Sequence, residues 1–530
     1  METPHGWVVD VSVPPASIQD NTGDRERLFS ALARADGQPP AAMDHRALAA
    51  LPAALREKDG RVRCMLVPHA SGYAVADVFS AASPPPCLGL AVDLGTTRIV
   101  ARLADLFSHQ VLGEAATDNP QAAIGPDVLA RIHHADAHED GLAELQRLAA
   151  GAVARLGRDL AEEAGRAAED IRLVSLAGNT AMTHLFLGLP PRWIIREPYI
   201  PPANAPDPVE ASALSLPFAP GCRVYVHPNV GSYFGGDLMA GIRHLGLHRG
   251  TRLQLLVDVG TNAEVVLGNA EFLIACAGAA GPALEGGVTR MGVTARPGAI
   301  DRVRIDPVTG EFILHTIGDR PAVGICGSGV IDLAAWLYLT GRLDERGKFV
   351  AHALGGRLTE DGQGVPAVVV ATAKESATGE PLLFSQADMD SLTRSKAAMY
   401  TILCTLADSV GVEFEDIAAI HVAGTFGSFI DPESAITIGM IPDLPLSVYQ
   451  AAGNTSLQGA ASLLFSRRAP AETREIRDRV TYLELNVNQE FMTRFSAAKF
   501  YPHTDASRFP AALARKRAVA GRRQMLKVEE

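Results

Sequence analysis

The stretch CLGLAVDLGTTRIVARLADL, residues 87–106, governs how the rest of the chain reads. Leu88, Leu90 and Val92 alternate with small residues, and Ile99, Ala101 and Leu103 resume the period of two. The segment therefore predicts two strands joined through Asp93-Leu94-Gly95-Thr96-Thr97. A hairpin tip of this composition also has a purely local explanation. A second copy changes the balance. In RLQLLVDVGTNAEVVLGNAEFL, residues 252–273, an apolar strand again enters Asp258-Val259-Gly260-Thr261-Asn262 and leaves as an alternating strand. The two aspartates stand 165 residues apart. Two copies of one loop predict two similar half-domains that meet a phosphate chain from either side. Backbone N–H groups and side chains at Gly95, Thr96, Thr97, Gly260, Thr261 and Asn262 suit phosphate oxygens, while Asp93 and Asp258 suit the water shell of Mg2+.

A third element is IAAIHVAGTFGSFIDPESAITIGMIPD, residues 417–443. A strand from Ile417 to Val422 enters Ala-Gly-Thr-Phe-Gly-Ser, where Gly424 and Gly427 flank Thr425. Glycines there serve close packing in any strand-to-helix turn; beside two phosphate loops they suit a ribose or a flat base. Asp237 in GGD and Glu285 in GPALEGG are carboxylates beside glycine. They fit a catalytic place, since phosphoryl transfer to water needs an orienting carboxylate, and equally a cap or turn. GICGSG, residues 324–329, opens a helix whose N–H groups suit an anion. His133, His134 and His138 read as a solvated surface segment.

Around these motifs strands and helices alternate, which predicts an α/β chain. Residues 141–165 have helical Leu and Ala spacing, 170–189 read as strand, Gly178-Asn179-Thr180 and helix, and the proline-rich 190–228 as an irregular excursion. Residues 1–86 read as a small α+β domain closed by the prolines at 84–86. Its RVRCMLVPHASGYAVADVF predicts a strand pair around a Ser-Gly turn.

Of the 530 residues 47% are apolar, enough for a large core. A net charge of −12 argues against nucleic acid as the main partner, and only ARKRAVAGRRQMLK, residues 514–527, is basic. The start lacks a basic segment followed by an apolar one, and no eighteen-residue apolar run occurs, so neither a leader nor a membrane span is expected and the compartment expected is the cytoplasm. The six cysteines, Cys64, Cys87, Cys222, Cys276, Cys326 and Cys404, are scattered without C-x-x-C, so no iron–sulfur cluster or local zinc site is expected.

In their order, the two phosphate loops and the adenosine loop resemble the ATPase superfamily of acetate and sugar kinases, heat-shock chaperones and actin. Within it the chain resembles the ATP-dependent reductive activators of corrinoid proteins. The strings that carry this are NPQAAIGPDVLARI (119–132), GNTAMTHLFLGLPP (178–191), PNVGSYFGGDLMAGI (228–242), CAGAAGPALEGG (276–287), GICGSGVIDLAAW (324–336) and AGTFGSFIDPESAITIGMIPD (423–443). The resemblance implies a two-lobed actin-like ATPase fold with duplicated half-domains at 87–250 and 251–500. It likens residues 1–86 to the family's small middle domain and leaves 501–530 as a basic tail. It implies ATP and Mg2+ as cofactors and a corrinoid protein of a methyltransferase system as partner, its cobalt returned from Co(II) to Co(I). Because this reduction is uphill, either cobalt ligation changes on binding or ATP drives the step. Family members usually carry an iron–sulfur domain that is not seen in these residues; either the chain is a truncated form, or its electron comes from a separate ferredoxin-type donor, which is the expectation, or it does not transfer electrons. A homodimer is allowed. A small-molecule kinase with Asp237 as base, and a partner-binding signalling ATPase, are the alternatives on the same fold.

Overall fold

Four strands and two helices precede the first Asp-x-Gly-Thr loop. They are β1 (Val8–Ser12), α1 (Asp24–Asp36), β2 (Ala42–Met43), α2 (His45–Glu57), β3 (Arg61–His69) and β4 (Gly72–Ser80), with sheet order β1-β3-β4-β2. The β3–β4 hairpin forms where the Ser-Gly turn predicts it. In α2 the buried positions Ala47, Leu51, Ala54 and Leu55 fall on one face, and truncating the fully buried Leu51 costs about 3 kcal/mol. The computed structural model describes residues 6–260, 263–278, 290–424, 430–483 and 489–527.

Two compact units divide the chain. The first joins Met1–Gly246 to Thr455–Val480, and the second joins Leu247–Asn454 to Thr481–Glu530. In the first unit β5 (Leu88–Leu94), β6 (Arg98–Asp105), β7 (Val111–Asp118), β8 (Ile171–Gly178), β9 (Val209–Glu210) and β10 (Arg223–Val226) form a sheet ordered β7-β6-β5-β8-β10-β9. Strands β5, β8 and β10 run parallel; β6, β7 and β9 are antiparallel to their neighbours. Helices α3 (Val128–Ala137), α4 (Gly141–Glu163), α5 (Thr180–Leu187) and α6 (Gly236–Leu245) complete it. Leu88, Leu90, Val92 and Leu94 pack with α4 residues Leu145, Val153 and Leu156. The small residues between them have a reason. A Cβ on Gly89 would stand 2.9 Å from Leu464, which follows the helix Thr455–Leu463 on the opposite face.

That helix and the next, Ala469–Arg479, correct the expected second half-domain at 251–500. Leu457, Leu463 and Leu464 are buried with Trp7, whose Nε1 donates to Leu463 O at 2.8 Å. Arg243 Nη2 of α6 donates to Gly459 O at 2.6 Å. A Leu- and Ala-rich helix carries no mark of which sheet it covers, so sequence order alone assigns it to the wrong unit. Strand β10 likewise lies inside the expected irregular excursion. Four residues between Pro220-Gly221 and Pro228 are too short to show a period, yet all four pair with β8.

The second unit repeats the plan. Its strands are β11 (Gln254–Val259), β12 (Ala263–Gly268), β13 (Leu273–Gly278), β14 (Ala299–Ile305), β15 (Phe312–Thr316), β16 (Gly324–Ile325), β17 (Leu358–Glu360), β18 (Pro366–Ala371), β19 (Leu382–Ser385), β20 (Ala419–Ala423), β21 (Tyr449–Gly453) and β22 (Val480–Tyr482). The main sheet runs β21-β20-β11-β12-β13-β22, with two three-stranded sheets, β15-β14-β16 and β17-β18-β19, beside it. Helices α7 (Gly327–Leu339) and α8 (Gln386–Ser409) supply buried apolar faces to its core. Reading outward from the hairpin, β13-β12-β11-β20-β21 has the order and directions of β7-β6-β5-β8-β10. The sequence echo is thus an echo of topology.

Most of the basic C-terminal segment is helical. Helix Pro510–Lys527 is docked on the second unit, with Ala512 buried, Asp443 accepting from Ala511 N at 2.7 Å and Arg515 Nη1 donating to Thr437 Oγ1 at 2.6 Å. Among the described residues no helix is long and apolar enough to cross a membrane.

Candidate functional site

Strand β5 delivers Asp93 to the end of the first sheet, and the chain turns through Gly95, Thr96 and Thr97 into β6. The turn is tight: a Cβ on Gly95 would run into the Arg98 carbonyl oxygen. Three successive carbonyls of this loop are held from one side. Asn119 Nδ2 donates to Gly95 O at 2.9 Å, Arg131 Nη2 to Thr96 O at 2.7 Å and Asn119 N to Thr97 O at 2.8 Å. Asn179, which caps α5 by accepting from Met182 N at 2.9 Å, also donates through Nδ2 to Thr96 Oγ1 at 3.0 Å. Ser456 Oγ donates to Asp93 Oδ1 at 2.7 Å and orients the carboxylate.

Asp237 joins this group from the first turn of α6. Gly235 lies so close to β8's end that a Cβ would stand 2.5 Å from Asn179 Cα. Burial pushes the Asp237 carboxyl up to about 7, and the nearby Asp93 charge adds to the rise, against a 2.9 Å hydrogen bond from Leu238 N that favours the anion. A helix N-terminus alone would lower it, so desolvation and the second carboxylate win. Two adjacent carboxylates, one of them changing charge near neutral pH, suit a cation or, in the ionised form, a base.

In the second unit Asp258 occupies the same place on β11 that Asp93 occupies on β5. It is paired across the ladder with Glu264 of β12 and, on the other side, with Ala423 of β20. Gly424 follows with φ +81°, a conformation a side chain resists, and a Cβ there would stand 2.9 Å from Asp258 Oδ1. Asp258 and Gly424 are therefore neighbours. Thr261, Asn262, Glu285, Thr425 and Gly427 lie outside the described residues.

Asn179, Arg131, Ser456 and Glu264 were not singled out from sequence. For Asn179 a signal existed: Ala177-Gly178-Asn179-Thr180 after β8 matches Ala423-Gly424-Thr425 after β20, at the same point of the duplicated plan. Among the described residues no group of three His, Cys, Asp or Glu is gathered for a metal. His134 pairs with Glu144 at 3.0 Å and stacks on His138. The six cysteines are buried free thiols, and burial pushes Cys276 up to about 12.

Comparison with known proteins covers nearly the whole chain. Residues 252–513 match the C-terminal domain of RACo, the ASKHA domain; 88–250 match the RACo middle region; 3–82 match the RACo linker region. The small N-terminal domain thus corresponds to the linker, not to the middle domain to which it is likened above. The corrinoid activation enzyme RamQ of Eubacterium limosum is 30% identical over 416 residues, 77% of this chain and 70% of that one. A reductase described as specific for a Co(II) methylated-amine corrinoid protein, from Methanosarcina barkeri, is 27% identical over 282 residues, 49% of this chain and 48% of that one. The solved structure of a reductive activator for corrinoid, iron–sulfur protein superposes with a TM-score of 0.83 at 38% identity, over 96% of this chain and 81% of that one. With linker, middle region and an actin-like ASKHA domain in sequence, and loops duplicated on two sheets of one plan, the chain belongs to the RACo family.

Proposed function

We infer that this chain is a reductive activator of a corrinoid protein, returning its cobalt from Co(II) to Co(I) with ATP and one electron from a separate ferredoxin-type donor. The observation that carries the reading is the near-continuous match to the three RACo regions, together with relatives named for corrinoid activation and reduction. Working in the cytoplasm, it would support methyl transfer by rescuing a carrier that has lost an electron.

The residues fit Mg·ATP. A braced glycine turn with hydroxyls and two neighbouring carboxylates, Asp237 being a weakened acid, in the first unit, and a glycine at φ +81° against a strand-end aspartate in the second, suit phosphates, a hydrated cation and a nucleoside. Asp93 and Asp258 would orient waters of Mg2+. Gly95, Thr96 and Thr97, with Gly260, Thr261 and Asn262, would hold phosphate oxygens. Gly424, Thr425 and Gly427 would seat adenosine, and Asp237 and Glu285 are the carboxylates for proton transfer. Bound Mg·ATP supplies phosphoryl-transfer free energy; the chain's residues bind, orient and hold the proton at Asp237.

The test mixes a Co(II) corrinoid carrier, reductant and ATP with this chain and follows Co(I) in the visible spectrum. Co(I) should accumulate only with the chain and ATP present, and the Co(II) carrier should bind more tightly than the Co(I) form, since equal affinity shifts nothing. Equal Co(I) yield with and without the chain overturns the reading.

A further inference from the structure

Arg131 of α3 is completely buried, and its fork is engaged on every nitrogen. Nε donates to Gly125 O at 2.9 Å, Nη1 to Gln121 Oε1 at 3.3 Å and to Met182 Sδ at 3.2 Å, and Nη2 to Thr96 O at 2.7 Å. All four acceptors are neutral. Among the described residues Arg131 forms no ion pair; Asp127, one turn earlier and exposed, favours the charge only through space, and its carboxylate caps Ala130 N at 2.8 Å. Hydrogen bonds satisfy the donors of a guanidinium but do not cancel its charge, and an uncompensated buried cation costs several kcal/mol. Burial accordingly draws Arg131 down to about 10, still charged at neutral pH.

The bonding around the loop says where the missing negative charge belongs. The carbonyls of Gly95, Thr96 and Thr97 are all spent on Asn119 and Arg131. No acceptor among the described residues takes the N–H groups of Gly95, Thr96 or Thr97. A loop whose carbonyls are tied back while its N–H groups are unspent is arranged for an anion. We propose that Arg131 is a positioning and specificity-determining residue whose buried charge is balanced by the phosphate held at the Gly95–Thr97 loop. It acts through Thr96 and through space, and discriminates a polyphosphate from the neutral part of the same nucleotide. This rests on the nucleotide reading above.

The experiment measures binding of Mg·ATP and of adenosine, separately, to the full-length parent, R131Q and R131K. R131Q should lose about tenfold or more in affinity for Mg·ATP while adenosine binding stays within about twofold. R131K, which keeps the charge, should recover most of the ATP affinity, and the salt dependence of ATP binding should be shallower in R131Q than in R131K. Equal loss for ATP and adenosine, or no loss for either, overturns the proposal while leaving the nucleotide reading intact. A parent that binds neither compound overturns the nucleotide reading and this one with it. Should R131Q fail to fold, R131K decides: ATP affinity held within about threefold supports the charge role, and a tenfold loss shared with adenosine refutes it.

Discussion

Asp237→Asn replaces a carboxyl that folding makes a weak acid with a neutral group of the same shape. In the unfolded chain an aspartate titrates near 3.9, whereas burial and the Asp93 charge lift the folded value to about 7. Between those two values the unfolded chain has released its proton and the folded chain keeps it. The contribution is therefore fully present below pH about 4, declines as pH rises, and is lost once pH passes 7. The two titration points differ by about 4 kcal/mol at 1.36 kcal/mol per tenfold. Because the side chain is only partly buried, solvent screening reduces the expected penalty to about 2 kcal/mol. Asparagine cannot ionise and can still accept the Leu238 N–H. The variant should match the parent at pH 4 and exceed it by about 2 kcal/mol at pH 8.5, a shift in urea midpoint of roughly 0.7 M for an m-value of about 3 kcal/mol/M. Of the three tryptophans, Trp7 and Trp193 lie in the first unit and Trp336 in the second. Urea unfolding by fluorescence in a Trp336→Phe background thus reports the unit that holds Asp237. A stability difference that does not change between the two pH values would refute the assignment of a raised Asp237 and, with it, the coupling to Asp93.

Asp93→Ala and Asp258→Ala should each lower ATP hydrolysis by about a hundredfold or more while far-ultraviolet circular dichroism stays parental; hydrolysis at the parental rate in both variants would remove the phosphate-loop assignment. Gly424→Ala forces a Cβ into positive φ and against Asp258 Oδ1, so it should destabilise the second unit by about 2 kcal/mol, read from Trp336 fluorescence, and weaken adenosine binding; unchanged stability and binding would contradict the geometry.

The hairpins around Asp93 and Asp258 were legible because each combines a period of two with the same five-residue tip, and repetition separates a plan from a local turn. Fold class followed from that repetition, and the N-terminal strand pair from its Ser-Gly turn. Other features were hidden for physical reasons. Strand β10 is four residues long and bounded by prolines, so it shows no periodicity. Ser456 reaches Asp93 from a helix 363 positions away, and only tertiary packing brings the pair together. Arg131 stands next to His133 and His134 in a segment that looks solvated throughout. Its side chain is buried because α3 turns Arg131 and Ile132 inward, and charge written in a sequence gives no hint of whether it is solvated. Asn179 was the recoverable case, since the Ala-Gly turn at the end of β8 is repeated at the end of β20.

The return of Thr455–Val480 to the first unit has a consequence for biosynthesis. A chain emerging from the ribosome has completed the first sheet by Val226, yet the helix that receives Trp7 and Arg243 begins 229 residues later. At 5–20 residues per second that is roughly 11–46 s of waiting. During this interval the sheet face beneath Gly89 and Ala91 is without its cover, while Leu247–Asn454 of the second unit is made. The nascent first unit thus carries an uncovered, aggregation-exposed sheet face until Thr455–Val480 is made, and the second unit in turn waits for Thr481–Glu530, so neither unit completes its core until translation nears its end.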